Sequence, residues 1–193
     1  RCGATAGSIV VMFPGNGDIA ALTNHPTFNP NNFPTYPSHL RTNRAVASCY
    51  EPGSTFKIFT AAAALDSGSV RPDDMIDCGR GLLRFGRVRI HDHHSFDRLS
   101  VADVLVKSSN VGASKIGVEL GPERLIRYVR RFGFGQTISR DFPGESRGIV
   151  HPPSRLPDSE LASVSIGYNI SVTALQMSAA TRVVATVADR GAP

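Results

Sequence analysis

Apolar residues along this chain fall into short blocks separated by turn formers. From Gly7 the run Ser8-Ile9-Val10-Val11-Met12-Phe13 is β-rich. Pro14-Gly15-Asn16-Gly17-Asp18 is turn chemistry and Ile19-Ala20-Ala21-Leu22 resumes the apolar run, which predicts a β-hairpin. Residues 24–44 are dense in Asn, Pro and Thr and follow neither the helical nor the strand period, so an ordered loop is predicted there. A Pro-Gly turn at Pro52-Gly53 leads into Ile58, Phe59, Ala61 to Ala64 and Leu65, the composition of a buried helix. Asp66-Ser67-Gly68 and Pro72-Asp73-Asp74 break that pattern, and Leu82 to His94 reads as short strands joined by Gly86. Ser100 and Asp103 have capping-box spacing for a helix ending near Lys107. A second helix is predicted from Gly112 to Glu119. A third opens at Gly121-Pro122, with Leu125, Ile126, Val129 and Phe132 on one face and Gly133 ending it. Thr137 to Pro157 carries four prolines and reads as irregular. Thr173 and Gln176 repeat the capping-box spacing before Leu175, Ala179, Val183 and Val187, which recur every four residues.

At 193 residues the chain is long enough for a substantial core, in one domain or two, and it has neither an internal repeat nor an interdomain linker. The formal charge of +5 comes largely from arginine, and the arginines are spread along the chain. Zinc-finger spacing, an aromatic RNA-binding signature and a basic region with heptads are all lacking, so a solvated arginine-rich surface outweighs nucleic-acid binding. Cys2, Cys49 and Cys78 are odd in number and lack Cys-x-x-Cys spacing, which permits one disulfide without implying it. No stretch approaches the eighteen apolar residues of a membrane span, and no signal-peptide pattern is found. The chain starts at Arg1 and stops within a helical pattern, so it reads as a fragment of a longer protein.

The candidate chemistry lies in Glu51-Pro52-Gly53-Ser54-Thr55-Phe56-Lys57. Residues three apart share a helix face, so the Lys57 amine can reach the Ser54 hydroxyl, and a serine becomes a competent nucleophile only beside a base. The competing reading is a helix-capping serine beside an incidental lysine. Lys57, Lys107 and Lys115 are the only lysines, so a Ser-x-x-Lys pair is expected by chance roughly 0.3 times in this chain. Lys107-Ser108-Ser109-Asn110 offers a hydroxyl and a carboxamide two residues apart in a predicted helix–helix connection that could approach the first pair. His91-Asp92-His93-His94 invites a metal, but a hydrogen-bonding segment near the cleft is the stronger reading, because a third ligand is distant in sequence. Glu51 is read as a turn or packing residue, and no Gly-x-Ser-x-Gly elbow is present.

Several segments, in this order, resemble the transpeptidase domain of class B penicillin-binding proteins. They are GSIVVMFPGNGDIAAL in the opening hairpin, NRAVASCYEPGSTFK at 43–57, RIHDHHSF at 89–96, KSSNVGASKIG at 107–117, DFPGESRGI at 141–149 and SELASVSIGYNISVTALQMSAA at 159–180. The resemblance covers nearly the whole chain. It implies an α/β (α+β) fold of the penicillin-binding and serine β-lactamase type, with helices packed on an antiparallel sheet whose later strands are not in residues 1–193. It also implies that Ser54 is acylated, that Lys57 is its base, and that Ser108 and Asn110 form the Ser-x-Asn motif. Ser108 would relay a proton, Asn110 would orient Lys57 or the substrate, and the Ser54 N–H would be one oxyanion donor. For Lys57 to accept a proton its pKa must fall by roughly 3 units. The family's Lys-Thr-Gly or Lys-Ser-Gly motif is absent from these residues, so the chain alone should be a poor catalyst at best. Two further departures are Asn169 and Ala174, where the family usually has Gly and Pro; Asn tolerates a left-handed turn.

The implied substrates are peptidoglycan stem peptides ending in D-Ala-D-Ala together with an amine acceptor, and β-lactams are the implied inhibitors. No cofactor or metal is implied. The implied setting is the outer face of the bacterial cytoplasmic membrane, beside other cell-wall synthesis proteins, with the anchor outside this chain. The alternatives are a β-lactam sensor that acylates without turnover and a non-catalytic scaffold of the same fold.

Overall fold

A computed structural model of the chain describes residues 3–189, and side chains as far as Thr186. In chain order it forms β1 (Gly7–Met12), β2 (Ile19–His25), α1 (Ser38–Arg41), α2 (Arg44–Ala47), α3 (Lys57–Asp66), β3 (Met75–Asp77), β4 (Leu82–Phe85) and β5 (Val88–His91). There follow β6 (Arg98–Ser100), α4 (Val101–Val106), α5 (Asn110–Leu120), α6 (Pro122–Arg131), α7 (Asp158–Ser165) and α8 (Ala174–Asp189). All strand pairs are antiparallel, and among the described residues they form three two-stranded ribbons, β1 with β2, β3 with β6 and β4 with β5. The residues fall into two compact units, each discontinuous in sequence.

One unit takes the chain up to Tyr50, then Phe132–Gly148, then the chain from Val172 onward. The predicted hairpin is its ribbon, with Val10 opposite Leu22 and a bulge between Val11 and Met12. Residues 24–44, expected as loop, include a short 3₁₀ stretch at Pro30–Thr35 and the one-turn helix α1, and α2 begins at Arg44. Asn24 ties this segment down: its carbonyl oxygen accepts from the Ala45 N–H at 2.9 Å and its amide donates to the Asn43 side chain at 2.9 Å. Ala45 and Val46 are thereby buried. At the start of α8 the Thr173 hydroxyl accepts from the Gln176 N–H at 3.1 Å, and the Gln176 side chain accepts from the Thr173 N–H at 3.0 Å. The other end of the buried Gln176 amide donates to the carbonyls of Gln136 and Arg147, so the capping box also pins the irregular 132–148 segment. Cys49 is a free thiol here, donating to Ser146 Oγ, and Cys2 lies outside the described residues.

The second unit comprises Glu51–Arg131 and Ile149–Ser171. Its helices α3, α5 and α7 pack side by side through small residues. A Cβ added at Gly117 on α5 would lie 1.7 Å from Ser165 Oγ on α7, so only glycine permits this approach. Thr60 donates to the Ser165 carbonyl and Ser114 to the Ala162 carbonyl, each hydroxyl finding its partner across a helix contact. Ala64, Val104, Val111, Ala113, Ile116, Ala162 and Ile166 form the core with Ile90 and Leu99 of the ribbons. Cys78, also in that core, is a buried free thiol. Helix α6 keeps the predicted face, with Leu125, Ile126 and Val129 buried, and carries Glu123 in its first turn and Arg130 and Arg131 in its last, the order the helix dipole favours. Helix α7 and the pairing of β3 with β6 were not expected from the sequence.

Candidate active site

Ser54 lies in a single 3₁₀ turn, Gly53–Phe56, and Lys57 begins α3 directly after it, its N–H donating to the Ser54 carbonyl. In 3₁₀ geometry residues i and i+3 eclipse, so the two Cβ atoms stack more closely in line than the α-helical spacing read from the sequence. Gly53 has φ +57°, a left-handed conformation that favours glycine. Its N–H donates to the Gly167 carbonyl at 3.0 Å, and Gly167 itself has φ +82°. A Cβ on Gly167 would lie 2.1 Å from the Gly53 carbonyl oxygen, so two glycine backbones meet directly beneath the serine turn. Glu51 accepts from the Asn169 N–H at 2.9 Å, the turn role expected of it, and Asn169 takes φ +55°, the left-handed conformation its residue type tolerates. The Asn169 side chain donates to Glu160 at the start of α7.

Lys57 is only 2 % exposed whereas Ser54 is open to solvent. The Lys57 amine donates to the Ser108 carbonyl at 2.6 Å and to Ser108 Oγ at 3.0 Å, joining two motifs 51 residues apart. Burial pushes the Lys57 pKa down from 10.5 to about 8, against the opposing pull of the Asp92 carboxylate. Ser108 sits between α4 and α5 with φ +53°, unusual for a residue with a Cβ, and this turns both its oxygens toward the lysine. Among the described residues no hydrogen bond joins the Ser54 hydroxyl to Lys57. Asn110 opens α5, and its carboxamide donates to the His91 carbonyl at 2.7 Å rather than to Lys57; of the two expected roles, orienting Lys57 or the substrate, this contact favours the second.

Sequence reading named these four residues and left out what braces them. Ser109 is the N-cap of α5, accepting from the Gly112 N–H at 2.8 Å. Asp92 accepts from Ser109 Oγ at 2.8 Å, from the Val111 N–H at 3.0 Å and from the Asn110 N–H. Within the His91-Asp92-His93-His94 segment, Asp92 and the His91 carbonyl thus serve hydrogen bonding. A serine three residues before Gly112 at a helix start is a visible capping signal for Ser109; residues 91–94 read as hydrogen-bonding, but nothing local to them names the start of α5 as the partner of Asp92.

Residues 7–190 match the penicillin-binding protein transpeptidase domain, and the chain belongs to that family. It is 34 % identical over 180 residues to the probable peptidoglycan D,D-transpeptidase PbpC of Pseudomonas aeruginosa, covering 93 % of this chain and 32 % of that protein. With peptidoglycan D,D-transpeptidase FtsI of Escherichia coli it shares 34 % identity over 188 residues, 97 % of this chain and 31 % of that one. Among solved structures, the apo transpeptidase domain of Burkholderia pseudomallei penicillin-binding protein 3 superposes with a TM-score of 0.84 at 32 % identity, covering 94 % of this chain and 50 % of the other. A Burkholderia ambifaria peptidoglycan glycosyltransferase structure gives the same TM-score at 34 % identity, covering 94 % and 54 %. The chain therefore spans about a third of the length of these two curated relatives and about half of these solved chains.

Proposed function

We propose that the whole protein carrying this chain is a serine D,D-transpeptidase that cross-links peptidoglycan stem peptides and is acylated by β-lactams at Ser54. The observation that carries the reading is the bond from the buried Lys57 amine to Ser108, one 3₁₀ turn from an exposed serine, in a member of this family. Lys57 as free amine takes the Ser54 proton while Oγ bonds to the penultimate D-Ala carbonyl carbon. The resulting tetrahedral oxyanion accepts from the Ser54 N–H. Collapse breaks the C–N bond, and the proton passes from Lys57 through Ser108 Oγ to the departing D-alanine amine. An acceptor amine then attacks the ester, its proton returns by the same route, and Ser54 leaves with its hydroxyl restored. With a β-lactam the ring C–N bond opens in the first half, and the tethered amine stays attached.

Asn110, with its carboxamide on the rim, is assigned to contact the substrate backbone. The reaction belongs to the extracytoplasmic side of the membrane, where stem peptides are found, in company with other cell-wall synthesis proteins. Among the described residues no helix is long and apolar enough to cross a membrane. Residues 1–193 are assigned as part of one transpeptidase domain and are expected to turn over poorly by themselves. The test is labelling of the full-length protein with a fluorescent penicillin followed by peptide mapping. The adduct should map to Ser54 and vanish in Ser54→Ala; an adduct elsewhere, or none, overturns the reading.

A further inference from the structure

The first turn of α5 carries Ser109, Asn110 and Val111, and three of its donors converge on one carboxylate from the β5–β6 loop. Asp92 Oδ2 accepts from Ser109 Oγ at 2.8 Å, while Oδ1 takes the N–H groups of Asn110 and Val111. The first N–H groups of a helix have no partner within it, and an anion there is favoured by the helix dipole. Asp92 is itself fixed, because its N–H donates to the Gly81 carbonyl at 3.0 Å. His91, one residue earlier, accepts from the Asn110 carboxamide. The strand end therefore grips the start of α5 by both backbone and side chain, and Ser108 is the residue immediately before the gripped turn.

Resting on the acylation reading above, we propose that Asp92 is a positioning residue. Its carboxylate clamps the α5 N-terminus and so holds the Ser108 hydroxyl and carbonyl at the Lys57 amine. Ser108 has φ +53°, a conformation that persists only where the surroundings enforce it, and the clamp supplies the enforcement. Asp92 also acts on the lysine through its charge, favouring the protonated amine. Several other ionisable groups on the elements around α3 have partners of their own. Glu51 faces Asn169, Lys115 faces Asp77, and Asp66 at the far end of α3 accepts from Tyr128 of α6. Lys107, at the end of α4, is exposed. Asp92 thus joins geometry and charge at one point.

The experiment uses full-length protein, wild type alongside Asp92→Asn and Asp92→Ala. Acylation by a fluorescent penicillin is followed from about pH 6 to 10, and amide hydrogen exchange is followed across residues 108–113. Asparagine keeps an acceptor oxygen without the charge; alanine removes both. Expected for Asp92→Ala is at least about tenfold slower acylation at the alkaline plateau, with faster exchange at Asn110 and Val111. Expected for Asp92→Asn is a plateau within a few-fold of wild type and a midpoint displaced to lower pH, which loss of packing alone would not produce. An Asp92→Ala plateau within about twofold of wild type, with unchanged exchange at Asn110 and Val111, overturns the clamp. An Asp92→Asn midpoint equal to that of wild type overturns the charge component. If Asp92→Ala does not fold, amide exchange at Asn110 and Val111 in Asp92→Asn decides the clamp: faster than in wild type upholds it and unchanged ends it, while the midpoint decides the charge component. Failure of the wild type to label at Ser54 is failure of the acylation reading, and the exchange comparison still decides whether Asp92 holds α5.

Discussion

Burial makes protonation of Lys57 costly, so in the proposed role of base one physical term sets both its reactivity and its pH range. With its pKa near 8, the free-amine fraction falls about tenfold for each pH unit below that value. Acylation by penicillin should therefore rise with pH to a midpoint near 8, measured as the second-order rate constant of labelling; a flat profile from pH 6 to 9 would exclude Lys57 as the base. Ser108 offers a second residue-scale test, because it combines a hydroxyl with a left-handed backbone. Ser108→Ala and Ser108→Gly both lose the hydroxyl and should both slow acylation by roughly 10- to 100-fold. Glycine relieves the φ of +53°, so Ser108→Gly should melt higher than Ser108→Ala. Equal melting temperatures would mean that the conformation carries no strain.

Two glycine backbones meeting under the serine turn make the loop after α7 a direct support of that turn. Gly167→Ala would place a methyl group 2.1 Å from the Gly53 carbonyl and demand a left-handed alanine. The 3₁₀ turn must then shift. The expected outcome is loss of Ser54 labelling by at least about tenfold and destabilisation of about 2 kcal/mol or more, read by labelling and denaturant titration. At the start of α8 the Thr173 and Gln176 box is reciprocal, so Thr173→Ala should cost about 1 kcal/mol in the same titration. Elements whose signals are local were readable in this way. The Ser100 cap accepts from the Asp103 N–H at 3.0 Å as its spacing predicted, and the hairpin turn fell between Phe13 and Asp18. Helix α7 was missed because Asp158–Ser165 follows a proline-rich stretch and mixes polar with apolar positions; its burial comes from α5, which no local pattern reports.

For the molecule as a whole, the lysine proposed as the base weakens the fold. The sign follows from the direction of the shift. Below about pH 8 Lys57 is protonated folded and unfolded, and the native state bears the full burden; above 10.5 it is neutral in both, and the burden is gone. Its contribution to stability thus improves as pH rises from 8 to 10.5. Lys57→Met should melt higher than wild type by roughly a few degrees at neutral pH, and that advantage should shrink across the same window while labelling is abolished. A lower melting temperature for Lys57→Met would contradict the stated cost.

What the chain alone determined was chemistry that depends on near neighbours: the Ser-x-x-Lys spacing, the serine and asparagine two apart, the capping boxes, and a glycine-tolerant turn at Asn169. Those follow from covalent spacing and backbone preference, which a few consecutive residues contain. Tertiary structure alone decided that Lys57 meets Ser108 across 51 residues, that Gly167 supports Gly53, and that Asp92 closes the first turn of α5. Those contacts exist because α3 and α7, and the end of β5, all pack against α5 and bring remote polar groups out of water together, where every buried donor must find an acceptor.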